Sequence, residues 1–319
     1  MIILTGGAGF IGSNLLKSLN RQHISEVIIV DDLNHPLKKR NIKNLLYTEI
    51  VPINDYWKWQ KNNSNLEIDG IFHLGACTDT LETNKDFLYE NNVLYSQMLW
   101  EVATNKQTSF IYASSAATYG NGCTGFSDDH SLIPKLKPLN PYGQSKQDFD
   151  LWVLEQKDTP SHWVGLKYFN VYGPGEEHKG RMASVVFHFL QQLEQNQNLK
   201  LFNASHGYDA GEQKRDFIYV GDAVKMTMYA FNQKIPSGIY NVGTGRAKTF
   251  NELAETLFSI IGDREKEYIP FPARLLESYQ AFTCADMQRF YKAGYKLQYY
   301  DLKKGIGLCF NAYNRKIKN

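Results

Sequence analysis

The chain has 319 residues, 43% of them hydrophobic and 13% aromatic, enough to bury a large core and to build more than one lobe. Its 35 Lys and Arg against 33 Asp and Glu leave a net charge of +2, which argues against nucleic acid as the main partner, because a phosphate-binding surface needs a clear basic excess. No apolar run reaches spanning length, and the start Met1-Ile2-Ile3-Leu4 runs into glycines and not into a cleavage site, so the expectation is a cytoplasmic enzyme with no membrane partner.

In chain order, the first expected strand is Ile2–Thr5, followed by the turn Gly6-Gly7-Ala8-Gly9-Phe10-Ile11-Gly12 and a helix over residues 13–20. A strand, a glycine turn and a helix in succession make a dinucleotide site. Missing β-carbons at Gly6, Gly9 and Gly12 let the chain turn, let a pyrophosphate approach the backbone, and let the helix pack on the sheet. The second strand, residues 27–32, ends in Asp31 and Asp32, about 20 residues past the glycines, where a carboxylate bonds the adenosine ribose. That carboxylate pair favours NAD. Lys38, Lys39 and Arg40, in the expected loop that follows, supply charge for the 2′-phosphate of NADP. NADP is the preferred cofactor, with NAD left open.

Residues 61–65 read as a polar surface loop, 70–74 as a strand and 89–104 as a helix. The strand over residues 109–114 leads to Ser115, a hydroxyl at a strand's carboxyl end, where open α/β sheets bind ligands. A helix over residues 142–155 then carries Tyr142 and Lys146, four apart and so on one face. A neighbouring ammonium and the charge of an oxidised nicotinamide favour the Tyr142 phenolate, which makes it an acid/base, while Ser115 bonds the reacting oxygen. Further strands are expected at residues 163–169, 216–220 and Gly238–Val242, and further helices at residues 249–261 and 283–293. The alternation of strands and helices reads as α/β, a Rossmann-type doubly wound parallel sheet with a smaller α/β substrate-binding lobe. The dinucleotide-binding domain is expected over residues 1–171 plus about 216–245, and the substrate-binding domain over 172–215 plus 246–319. Cys77, Cys123, Cys284 and Cys309 have no metal-ligand spacing, and no metal is expected.

With the Gly6/Gly9/Gly12 turn, the segment His73-Leu74-Gly75-Ala76, the Ser114-Ser115 pair and the Tyr142/Lys146 pair in place, the sequence resembles the extended short-chain dehydrogenase/reductase family, which includes nucleotide-sugar epimerases and dehydratases. Within it, residues 114–120, 168–174, 178–180, 182–184, 214–217 and 279–283 resemble the branch that inverts carbon 6 of an ADP-linked heptose, and the likeness covers nearly the whole chain. The resemblance implies an isomerase using transient oxidation by bound NADP, an ADP-heptose substrate, a place in supplying lipopolysaccharide core heptose, and a homo-oligomer, a pentamer among the possible assemblies.

By the same carry-over, Lys179 is the second acid/base, on the face opposite Tyr142. Phe10, Ile11, Asp31, Asp32, Lys38, Lys58, Leu74, Gly75, Ala76, Cys77, Thr78, Asn91, Lys146 and Val171 line the cofactor. Asn170, Arg181, His188, Phe202, Asn203, Ala204, Ser205, Arg215 and Tyr279 contact the nucleotide sugar, with Arg215 suited to a diphosphate. The pattern is broken at Asp32, where related sequences carry Asn, at Arg181, where they carry Ser, and by an insertion over residues 208–213. A UDP-hexose 4-epimerase using NAD is the alternative enzyme. A dehydratase lacks support because Ala116-Ala117 stand where its Asp-Glu pair would be, and a non-catalytic dinucleotide sensor has no use for Tyr142 and Lys146.

Overall fold

Residues 1–262, 264–296 and 298–317 are described by the structure, a computed structural model. β1 (Ile2–Thr5) leads through the glycine turn into α1 (Phe10–Arg21), and β2 (Val27–Val30), α2 (Pro36–Ile42), β3 (Glu49–Val51), α3 (Tyr56–Asn62) and β4 (Gly70–His73) follow. Next come α4 (Lys85–Leu88), a π-helical turn at Tyr89–Leu94, α5 (Tyr95–Asn105), β5 (Ser109–Ser115), α6 (Pro141–Glu155) and β6 (His162–Tyr168). The second half contributes β7 (Asn170–Tyr172), α7 (Val185–Glu194), β8 (Leu199–Phe202), β9 (Lys214–Tyr219), α8 (Val220–Asn232) and β10 (Gly238–Val242). β11 (Ala247–Thr249), α9 (Phe250–Ile261), β12 (Lys266–Ile269), α10 (Gln288–Lys292) and α11 (Leu302–Ile317) complete the order.

Seven parallel strands form the main sheet in the order β10-β6-β5-β4-β1-β2-β3. Their apolar residues are buried on both faces, as parallel strands covered by helices must be. Ile2 and Leu4 face a core shared with Leu15 and Leu16 of α1 and Met226 of α8, whereas Ile3 faces the opposite core with Trp100 and Phe149. The strand order reverses between β1 and β4, and such a reversal opens a crevice beyond the carboxyl ends of the strands. A three-stranded sheet, β11-β9-β7, and a two-stranded one, β12-β8, lie outside the main sheet. They share a third core built from Tyr172, Phe189, Leu201, Leu253 and Ile306.

Four elements depart from expectation. Residues 216–220, expected to bring the chain back to the first lobe, lie largely in β9 of the three-stranded sheet, and α8 and β10 make the return. Within 283–293 only α10 is helical. The stretch before it is extended because Ala285 N–H donates to the Asp216 carboxylate and Asp286 N–H to the Phe126 carbonyl, partners a helix would deny it. Lys38, Lys39 and Arg40 lie on α2 and not in a loop, with Pro36 in its first turn and the His35 side chain accepting from Leu37 N–H. The tail, lacking any expected element, forms α11, which buries Ile306 and Cys309 against the third core. Among the described residues no helix is long and apolar enough to cross a membrane.

Candidate active site

The crevice floor is made where two loops meet without side chains. A Cβ on Gly6, whose φ is +68°, would lie 2.7 Å from the Gly75 nitrogen, and one on Gly12 would lie 2.1 Å from the Gly6 carbonyl. Only glycine fits either place. α1 begins at Gly9 with no side-chain cap, so the N–H groups of its first turn are left facing the crevice, the arrangement that receives a pyrophosphate. The residues present therefore fit a dinucleotide. Asp31 is buried at the end of β2, where its Oδ2 accepts from Ala8 N–H at 2.8 Å and its Oδ1 from Asp32 N–H and the Lys38 ammonium, each at 2.8 Å. Asp32 is exposed and turned to Asn34 N–H. Lys58 is exposed on α3, and Phe10, Ile11 and residues 74–78 sit at the carboxyl ends of β1 and β4.

Tyr142 and Ser115 are brought together by the start of α6. Asn140 caps the helix by accepting Gly143 N–H at 2.8 Å, with Pro141 in the first turn. A Cβ on Gly143 would lie 2.9 Å from the Ala117 carbonyl, so glycine lets the helix rest on the segment after β5. Burial pushes Tyr142 above the usual tyrosine range while the neighbouring Ser115 hydroxyl draws it down, leaving it raised. Lys146 is buried one turn on and donates to the Ala113 carbonyl at 3.0 Å. Burial pulls its ammonium down to about 8, with Asp150 opposing that fall.

Beneath these groups lies a polar network that the sequence pattern does not reveal. Asp150, fully buried on α6, accepts from Tyr112 and Ser114 hydroxyls and pairs with the Lys167 ammonium, which also donates to Thr118. Asn91, expected on the cofactor, is half-buried and donates to the Phe87 carbonyl within its own helix. Its neighbour Asn92 is fully buried instead. The π-helical turn aims Asn92 at Cys77, whose N–H it accepts at 2.8 Å and whose carbonyl it bonds at 3.0 Å, and at Ser145 Oγ, 2.9 Å away. Ser145 in turn donates to the Tyr142 carbonyl. Ser96 gives its one hydroxyl proton to Asn92, so it accepts from His73 Nε2, and His73 Nδ1 accepts from Thr5. Burial pulls His73 down to about 3, which keeps the ring neutral. This chain of bonds ties the crevice floor to α6.

Lys179 sits on an irregular turn, Glu177–Met182, after β7. Its ammonium lies over the Phe10 ring, 5.8 Å from the centroid, so the turn reaches back to the start of α1. Burial lowers its pKa and the Glu176 carboxylate opposes that shift. Arg181 is exposed and paired with Asp79 at 2.6 Å, and Val171 and Asn170 lie on β7, with Asn170 accepting from Thr283. In the other lobe, Arg215 is buried without an acidic partner among the described residues, its guanidinium 4.6 Å from the Tyr279 ring centroid. Phe202 packs edge-on against Phe271 and Tyr279. Asn203, Ala204 and Ser205 follow β8 at the surface, and His188 is half-buried on α7. The insertion is ordered: Gln213 donates to the Asn203 carbonyl and to Ser205 Oγ, while Asn251 bonds the Ala210 carbonyl and Glu212. Among the described residues no group of three or more His, Cys, Asp or Glu is placed to hold a metal ion.

Residues 2–243 match the NAD dependent epimerase/dehydratase family. The chain belongs to that family. It is 41% identical over 317 residues to an ADP-L-glycero-D-manno-heptose-6-epimerase of Fusobacterium nucleatum, covering 96% of each chain. The crystal structure of the Helicobacter pylori ADP-L-glycero-D-manno-heptose-6-epimerase matches with a TM-score of 0.83 at 31% identity, over 98% of this chain and 96% of that one. A UDP-glucose 4-epimerase from Thermotoga maritima matches with a TM-score of 0.82 at 27% identity over 99% of each chain. This chain's fold matches two epimerases named for different sugars, so the fold alone does not decide the sugar.

Proposed function

We propose that the protein interconverts ADP-D-glycero-β-D-manno-heptose and ADP-L-glycero-β-D-manno-heptose by inverting carbon 6, with NADP as its bound cofactor. The observation that carries this reading is the extent of the likeness: the family match ends at residue 243, whereas the similarity to the heptose epimerase of Fusobacterium nucleatum covers 96% of the chain and so includes the lobe holding Tyr279. A bound nicotinamide dinucleotide, held by the turn over residues 6–12, Asp31 and Lys38, would supply reversible hydride transfer at carbon 6. Tyr142, with Ser115 as its neighbour, moves the proton at the carbon-6 oxygen on one side. Lys179 does so on the other, its ammonium over the Phe10 ring and its charge favoured by the Glu176 carboxylate. Lys146 holds positive charge beneath Tyr142, and Arg215 binds the diphosphate through its planar fork. Residues 172–215 with 246–319 receive the sugar nucleotide in this reading.

For the cofactor, the Asp31–Lys38 pair neutralises the carboxylate that would repel a 2′-phosphate, and Lys39 and Arg40 are exposed on the same short helix. The test is a turnover assay on ADP-heptose and UDP-hexose, with mass spectrometry of the small molecule released on denaturation. Epimerised ADP-heptose and released NADP are the expected result. Turnover of UDP-hexose alone overturns the substrate, and release of NAD alone overturns the cofactor.

A further inference from the structure

Two asparagines from different helices make the same kind of bridge. Asn14 of α1 donates its amide hydrogens to the Phe10 carbonyl and the Pro174 carbonyl, each at 2.9 Å. Asn41 of α2 donates to the Ala8 carbonyl at 3.1 Å and the Gly175 carbonyl at 3.0 Å. Each therefore joins one carbonyl of the dinucleotide turn to one carbonyl of the segment that leads into Lys179. Carbonyls only accept, so the amide nitrogen of each side chain must face them. Gly175 has a φ of +104°, a conformation that favours glycine and that turns its carbonyl toward Asn41. Past the bridges the segment is anchored again by Glu176, whose buried carboxylate accepts from Gly173 N–H, Ser184 N–H and Ser184 Oγ. Lys179 N–H then closes a turn on the Glu176 carbonyl, and its ammonium returns to the ring of Phe10, the residue whose carbonyl Asn14 holds.

We infer that Asn14 and Asn41 are positioning residues that hold Lys179 in register with the dinucleotide turn. The inference rests on the reading of Lys179 as the second acid/base. Lys179 lies on a turn with a non-helical residue inside it, Gly180, so no regular ladder of hydrogen bonds sets its place. The two bridges, together with Glu176, do so, and they link its position to the backbone that contacts the cofactor. Tyr142 is set independently, by α6 and Ser115. Loosening the bridges should therefore impair the Lys179 side of the reaction and spare the Tyr142 side.

The test uses the purified protein with its bound cofactor and the variants Asn14→Ala, Asn41→Ala and Lys179→Met. Two reactions are followed: full epimerisation of ADP-heptose, and dismutation of an ADP-sugar aldehyde. In the dismutation one molecule is oxidised as its hydrate to the carboxylate while a second is reduced to the alcohol, and a single competent acid/base suffices. A misplacement of about 1 Å costs on the order of 10²-fold, so kcat for epimerisation should fall by about 10- to 100-fold in each asparagine variant. KM, bound dinucleotide and the dismutation rate should stay within about twofold of the parent. Loss of both reactions together, or of neither, overturns the positioning role. If Asn14→Ala does not fold, Asn41→Ala on the short outer helix carries the test. Parent-rate epimerisation by Lys179→Met instead overturns the acid/base reading itself, a result distinct from any the asparagine variants give.

Discussion

Around Tyr142 a buried carboxylate is matched by a buried ammonium, whereas around Arg215 a buried cation has no carboxylate partner among the described residues and donates to the Lys214 carbonyl. In the first region Asp150 has Tyr112, Ser114 and Lys167, Asn92 has Cys77 and Ser145, and His73 has Thr5 and Ser96. In the second, a buried guanidinium lies on an aromatic ring with no carboxylate paired to it among the described residues, and Phe271 meets Phe202, Tyr279 and His206 edge-on. A satisfied network fixes geometry, which a proton transfer demands. A buried cation without a carboxylate leaves room for an anionic ligand to supply one. In the proposed reading, one wall of the site is finished before substrate arrives, and the other is completed by it.

The largest effect should come from breaking the finished wall. Lys167→Met leaves the Asp150 carboxylate buried without its cation, both groups being 0% exposed, and should cost about 3–5 kcal/mol of stability, read as a fall in Tm. An unchanged Tm would mean that the surrounding hydroxyls hold Asp150 unaided. In the open wall, Arg215→Leu should leave Tm near that of the parent and raise KM for the nucleotide sugar by about 10- to 100-fold, the loss of a charge-assisted contact worth about 1.5–3 kcal/mol. A falling Tm with unchanged KM would reverse the contrast and make Arg215 a structural group.

The smallest effect is on pH dependence. Burial lowers Lys146 to about 8, so its charge is present below that pH and lost as pH rises through it. If that charge supports the Tyr142 phenolate, kcat/KM should fall on the alkaline side with a midpoint near 8. Lys146→Arg keeps its charge throughout, and the alkaline limb should leave that range even though the rate drops. A limb that stays near 8 in the variant belongs to another group.

What the sequence determined by itself is what local sterics and periodicity dictate. Gly6 and Gly12 mark the turn because no Cβ fits there, Tyr142 and Lys146 share a face because they are four apart on α6, and the apolar runs of β1, β2, β4 and β6 announce strands buried on both sides. The tertiary structure alone decided which polar groups meet. Asn92 was legible only as a neighbour of Asn91, and the π-helical turn chose between them by rotating one inward. Asn41 bridges to Gly175 across 134 positions, Asp150 meets Lys167 from an adjacent strand, and the extended stretch before α10 exists because Asp216 takes its Ala285 N–H group. Such bonds join residues with no shared period, and their partners are set by the register of strands and the docking of helices, which the chain acquires only when it folds.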